Sequence, residues 1–94
     1  MRVVFSPKAL RDLCAIGDFI GLENASRAAT FVAELELACR SLSSESMRYA
    51  LLEKPKGYRR MPIGNYLVLY QVTASDVRVV RVIHAARDMN ELDL

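Results

Sequence analysis

Residues 66–88, YLVLYQVTASDVRVVRVIHAARD, decide the fold. Tyr66 to Val72 is a run of β-branched and aromatic side chains, and Val77 to Ile83 is a second; Thr73 to Asp76 between them are turn-compatible. The stretch therefore predicts two antiparallel strands joined by a short polar turn. Side chains alternate between the faces of a strand. Strict alternation puts Leu67, Leu69 and Gln71 on one face and Tyr66, Val68, Tyr70 and Val72 on the other. In the second strand it groups Val77, Val79, Arg81 and Ile83 against Arg78, Val80, Val82 and His84. Neither face is polar enough for ordinary solvent exposure, so both need covers. The rest of the chain must supply two, or a partner must supply one.

Upstream, Arg2 to Phe5 reads as a short strand. Ser6-Pro7 is a helix start, with Ser6 as N-cap and Pro7 where its missing N–H is harmless. Ala9, Leu13, Ile16 and Ile20 recur at helical spacing, with Lys8, Arg11, Asp12 and Asp18 largely off that stripe. Gly21 to Asn24 supplies a break, and Asn24 caps a second helix running to about Leu42. Its stripe is Ala28, Phe31, Val32, Leu35, Ala38, Cys39 and Leu42. Residues 43–57 read as a connector. Tyr58 to Met61 is a third strand, turned into the hairpin by Pro62, Gly64 and Asn65. The expected fold is α+β, in the order β-α-α-β-β-β: a helical hairpin on one face of a small, mainly antiparallel sheet, as one domain over residues 1–94.

Composition agrees with one small core: 94 residues, 52% apolar and 26% charged. No apolar run approaches the roughly 18 residues of a membrane span, and the N-terminus has too short an apolar stretch for a signal peptide. A cytoplasmic location is expected. Cys14 and Cys39 read as small, buried and reduced, since an antiparallel hairpin places Cys14 nearest residues 33–34 rather than 39. The net charge of +2 hides an asymmetry. Residues 1–53 carry six basic and seven acidic side chains; residues 54–87 carry seven basic ones against Asp76 alone; the tail carries Asp88, Glu91 and Asp93. Basic charge gathered on the sheet half suits an anionic partner.

The chain carries no hydrolase elbow, phosphate loop, metal cluster or nucleotide fingerprint, so no metal and no cofactor is expected. His84 is the one histidine. Arg87 and Asp88 follow it and suit a local ion pair at the strand exit. In KPKGYRR, Tyr58 stands among Lys56, Arg59 and Arg60, a setting suited to stacking and phosphate contact or simply to solvent. Arg81 sits mid-strand among apolar neighbours, where a lone charge needs a partner. Alternation sends one of Arg59 and Arg60 to the Arg81 face.

SPKALRDL, IGDFI, AATFVAELE, YRRMPIGNYLVLYQV and VRVVRVIHAARD together resemble the RelE/ParE superfamily of type II toxins, most nearly its ParE branch. The resemblance covers nearly the whole chain. It implies the fold already derived and a cognate antitoxin whose C-terminal segment wraps the toxin. It implies DNA gyrase as the target if the ParE likeness governs, or ribosome-dependent mRNA cleavage if the RelE likeness does; a diverged, non-toxic binding module is the third reading. The RNA-cutting members carry an arginine at the position of Leu67, and leucine cannot stabilise a phosphorane. A metal-independent nuclease would have to rely on His84, Arg81 and Arg87. The ParE-like, non-enzymatic reading is therefore the expectation. The antitoxin is expected on an uncovered face carrying Leu67, Leu69, Val79, Arg81 and Ile83, and the target at Arg59, Arg60, Arg81 and Arg87.

Overall fold

The computed structural model describes residues 1–94, the side chain of Glu91 excepted. The chain runs β1 (Arg2–Phe5), α1 (Pro7–Gly21), α2 (Ala25–Arg40), α3 (Leu42–Glu45), β2 (Arg59–Ile63), β3 (Tyr66–Val72) and β4 (Asp76–His84), and ends in a 3₁₀ turn at Met89–Glu91. The sheet order is β1-β4-β3-β2, with β1 parallel to β4 and the other pairs antiparallel. The expected architecture is present. No described helix is long and apolar enough to cross a membrane.

The helix starts follow their side-chain chemistry. Ser6 Oγ accepts the Ala9 N–H at 3.0 Å with Pro7 in the first turn, and Asn24 Oδ1 accepts the Arg27 N–H at 3.0 Å. The helices approach closely at Gly17, where a Cβ would stand 3.3 Å from Val32 Cγ2. Ala9, Leu13 and Ile16 of α1 and Leu35 and Cys39 of α2 are buried against Met61, Val68, Tyr70, Val77, Val79 and Val82 of the sheet. Tyr70 is fully buried, and its hydroxyl donates to the Ser46 carbonyl at 2.7 Å.

Four local expectations are corrected. The second helix stops at Arg40, and Leu42 reaches the core from the separate turn α3. Cys14 is exposed, one position off the buried stripe of α1, while Cys39 is fully buried. Pro62 lies inside β2, and the hairpin turn is Gly64-Asn65 alone, with Gly64 at φ 55°. Proline is tolerated there because β2 is an edge strand: the Arg60 N–H two residues earlier points outward to Ala50 O. The fourth correction concerns faces. Leu69 pairs with Arg81 but Tyr70 pairs with Val79, so Val80 is the extra residue of a β-bulge. Two successive residues then point the same way. Val77 and Val79 pack under the helices, Val80 and Ile83 pack on the opposite face, and Val82 returns to the helix side.

Candidate functional site: the tail-covered face of the sheet

The face away from the helices carries Leu67 and Leu69 from β3 and Ile83 from β4, with Val80 and Leu52 packed beside them. It was expected to lie open, but the chain covers it itself. After β4, the Ala85 N–H donates to Asn65 O and the Arg87 N–H to His84 O. Asp88 caps the 3₁₀ turn by accepting the Asn90 N–H at 2.9 Å. Met89, Leu92 and Leu94 then lie over the patch, leaving Leu69 fully buried and Ile83 and Leu67 nearly so. Val79 does not belong to this face, because the bulge turns it into the helix-side core.

Arg81 organises the edge of the patch. Only 10% of its side chain is exposed. Its Nε donates to Asp12 Oδ2 at 2.7 Å and its Nη2 to Asp12 Oδ1 at 3.0 Å, a two-pronged pair onto α1. Its Nη1 donates to the Asp93 carbonyl at 2.6 Å. Hydrogen bonding to Asp12 raises the guanidinium pKa further. Asp12 Oδ2 also accepts the Val82 N–H at 2.8 Å, and the Val80 carbonyl accepts the Ser6 hydroxyl at 2.8 Å. These bonds satisfy backbone groups of β4 beyond the last pairing with β1, at Phe5 opposite Val79. Lys8 Nζ pairs with the Asp93 carboxylate at 2.7 Å and donates to Leu94 O at 3.3 Å. The tail is thus held by two cations from different elements.

The other expected site residues separate. Arg60 stands opposite Leu69 on the tail-covered face, exposed, beside a groove of about 470 Å³ that Leu52, Leu67 and Met89 also line. Arg59 faces the helix side, where its Nη1 donates to Tyr49 O at 2.6 Å. Arg87 is exposed beyond β4 and, among the described residues, forms no ion pair, so the local pair with Asp88 is absent. His84 pairs with Tyr66, whose ring packs on Phe31 on the helix side. The imidazole meets Tyr66 edge-on at 5.4 Å, and its Nδ1 accepts the Ala86 N–H at 3.1 Å. His84 and Arg81 therefore stand on opposite faces of the sheet.

Sequence reasoning overlooked Lys8, Asp12, Asp93 and the tail leucines. A signal was present: Met89, Leu92 and Leu94 are three apolar residues in a segment rich in acids, just after a strand with an uncovered apolar face.

Among curated proteins none matches this sequence. Solved structures do. The chain is similar to a chain of a chromosomal ParDE toxin-antitoxin system from P. aeruginosa, with a TM-score of 0.80 and 20% identity over 89% of this chain and 95% of that one. A chain of the RelBE2 toxin-antitoxin complex from Mycobacterium tuberculosis gives a TM-score of 0.64 and 29% identity over 88% and 95%. YafQ from E. coli gives 0.56 and 16% over 92% and 96%. The model of the ParE toxin of the type II toxin-antitoxin system parDE matches residues 3–89. With the fold of these toxins, and a family match over nearly its full length, the chain belongs to the ParE toxin family of type II toxin-antitoxin systems.

Proposed function

We propose that this toxin arrests growth through DNA gyrase rather than by cutting mRNA, and that a cognate antitoxin neutralises it on the tail-covered face. The observation that carries the choice of activity is the separation of His84 from Arg81. Metal-free RNA cleavage needs a base, an acid and a phosphate-binding cation converging on one phosphodiester. Here the histidine stands on the helix side, Arg81 is committed to Asp12, and the apolar Leu67 lies between them in the sheet. Of the four arginines expected at the target site, Arg60 and Arg87 are the exposed ones, available to an anionic or acidic target surface.

For the antitoxin, Leu67, Leu69 and Ile83 form the apolar patch and Arg81 its charged edge. The tail covers them with three partly buried side chains and few hydrogen bonds, so a longer amphipathic segment bringing its own carboxylate can replace it. The toxin-antitoxin systems among the similar structures support such a partner. Adding purified toxin to gyrase and relaxed plasmid should block supercoiling, and adding antitoxin should restore it. Undisturbed supercoiling at saturating toxin would overturn the gyrase reading.

A further inference from the structure

The chain holds four methionines in three different settings. Met61 lies in the helix-side core, 1% exposed. Met1 and Met47 are exposed and belong to neither apolar cluster. Met89 is both packed and reachable: it is half-buried on the Leu67–Leu69–Ile83 patch and lines the groove of about 470 Å³ beside it. It is the first of the three apolar anchors of the tail and opens the 3₁₀ turn Met89–Glu91. The two ends of the tail are held differently. Asp93 and Leu94 are fixed by hydrogen bonds and charge from Arg81 and Lys8. At the Met89 end, among the described residues, the hydrogen bonds stay within the tail: the Asn90 N–H to Asp88 and the Leu92 N–H to Met89 O. Side-chain packing alone ties this turn to the sheet.

From this we infer that Met89 is an oxidation site, and that its sulfoxide lifts the 3₁₀ turn off the sheet and uncovers Leu52 and Leu67. The oxidant is a peroxide. A sulfur lone pair attacks one peroxide oxygen, the S–O bond forms as the O–O bond breaks, and the second oxygen of hydrogen peroxide leaves as water. Sulfur loses two electrons and the peroxide gains them. The product replaces a flexible apolar thioether with a polar, chiral group, and methionine sulfoxide reductases reverse the change. A sulfoxide oxygen is a hydrogen-bond acceptor, and the patch beneath Met89 consists of hydrocarbon side chains with nothing to donate. Leaving such an acceptor unpaired against them is unfavourable. The donors lie on the groove wall instead, at Lys54, Arg60 and Asn90. Turning the oxygen toward them draws the side chain off the patch, and no other contact to the sheet retains the turn. The far end stays docked through Arg81 and Lys8, so the tail opens from one side. The inference depends on how the tail is packed and on no choice of target or partner.

The test is graded treatment of the intact chain with hydrogen peroxide after exposed Cys14 has been capped with iodoacetamide, so that the response comes from thioethers. Peptide mapping by mass spectrometry should show Met47 oxidised first, Met89 next and buried Met61 last. Fluorescence of a neutral hydrophobic dye should rise severalfold in step with the Met89 sulfoxide fraction and not with that of Met47. Circular dichroism should stay unchanged until Met61 reacts. Methyl NMR signals of Leu52 and Leu67 should shift on oxidation, and those of Leu94 should move less. Treatment with methionine sulfoxide reductases should reverse both signals. Met89→Leu, which keeps the apolar packing at nearly constant volume, should show no dye response while Met47 oxidises as before. The inference is overturned if Met89 stays reduced once Met47 is fully converted, if Met89 sulfoxide forms without a change in dye binding or in the Leu67 methyl signals, or if folded Met89→Leu responds like the wild type. The correlation within partly oxidised wild-type protein decides the matter even if the variant fails to fold. Since neither gyrase nor antitoxin is in the assay, any of these results leaves the proposed function standing.

Discussion

Asp12 on α1 and Arg81 on β4, 69 residues apart in sequence, form a two-pronged ion pair at 2.7 and 3.0 Å, and the same carboxylate accepts the Val82 N–H at 2.8 Å. One carboxylate thus neutralises a nearly buried guanidinium and satisfies a strand N–H. Removing one partner of such a pair strands the other. Asp12→Ala should destabilise the fold by about 3 kcal/mol, since both groups keep slight exposure. Asp12→Asn, which can still accept the Val82 N–H, should cost less. Denaturant melts of the two variants would check the order.

The tail is the less stable cover. Deleting residues 89–94 removes Met89, Leu92 and Leu94 from the patch and leaves the helix-side core intact. The truncated chain should stay folded but lose about 2–4 kcal/mol, the scale of one or two buried aliphatic side chains. Exposed Leu67, Leu69 and Ile83 should then bind a hydrophobic dye and promote self-association. Dye fluorescence and light scattering, set beside circular dichroism, would show both effects.

The tail contact is also acid-sensitive, with a defined sign. Hydrogen bonding and charge attraction from Lys8 hold the Asp93 pKa below its ordinary 3.8. A depressed carboxylate pKa contributes stability that is fully present above the ordinary value and lost as pH falls through the lowered one. Tail docking should therefore be constant from about pH 5 to 8 and weaken below about pH 3.8. Methyl NMR shifts of Leu92 and Leu94 would report it, and Asp93→Asn should abolish that pH step.

The two cysteines should differ sharply in reactivity. Burial, reinforced by Glu36, pushes the Cys39 thiol up to about 12, and its side chain has no solvent contact. Thiolate is the reactive form. Iodoacetamide at pH 8 should label Cys14 alone in the native protein, and both residues after unfolding. Mass spectrometry of the native protein showing Cys39 labelled first would contradict this.

The element order was legible because its signals are local: Ser6-Pro7, Asn24, the two β-branched runs and the Gly64-Asn65 turn each act within a few residues. What escaped depends on distant partners. A bulge at Val80 has no sequence mark here, yet it moves Val77 and Val79 to the face opposite the one that strict alternation gives them. Arg81 was recognisable as needing a partner, but choosing Asp12 required knowing how α1 crosses the free edge of β4. Cys14 resembled a core residue by composition and lies just off the buried stripe. Among the residues proposed for the site, Leu67, Leu69, Ile83, Arg81 and Arg60 share one face, while Val79, Arg59 and His84 face the helix side.

The most direct test of the gyrase reading is a side-by-side assay of wild-type toxin and His84→Ala, in gyrase supercoiling and in ribosome-dependent mRNA cleavage. With His84 on the helix side and away from Arg81, both proteins should inhibit supercoiling to the same extent, and neither should produce primer-extension stops in translated mRNA. Discrete mRNA cuts by the wild type that vanish in His84→Ala, with supercoiling untouched by either protein, would contradict it.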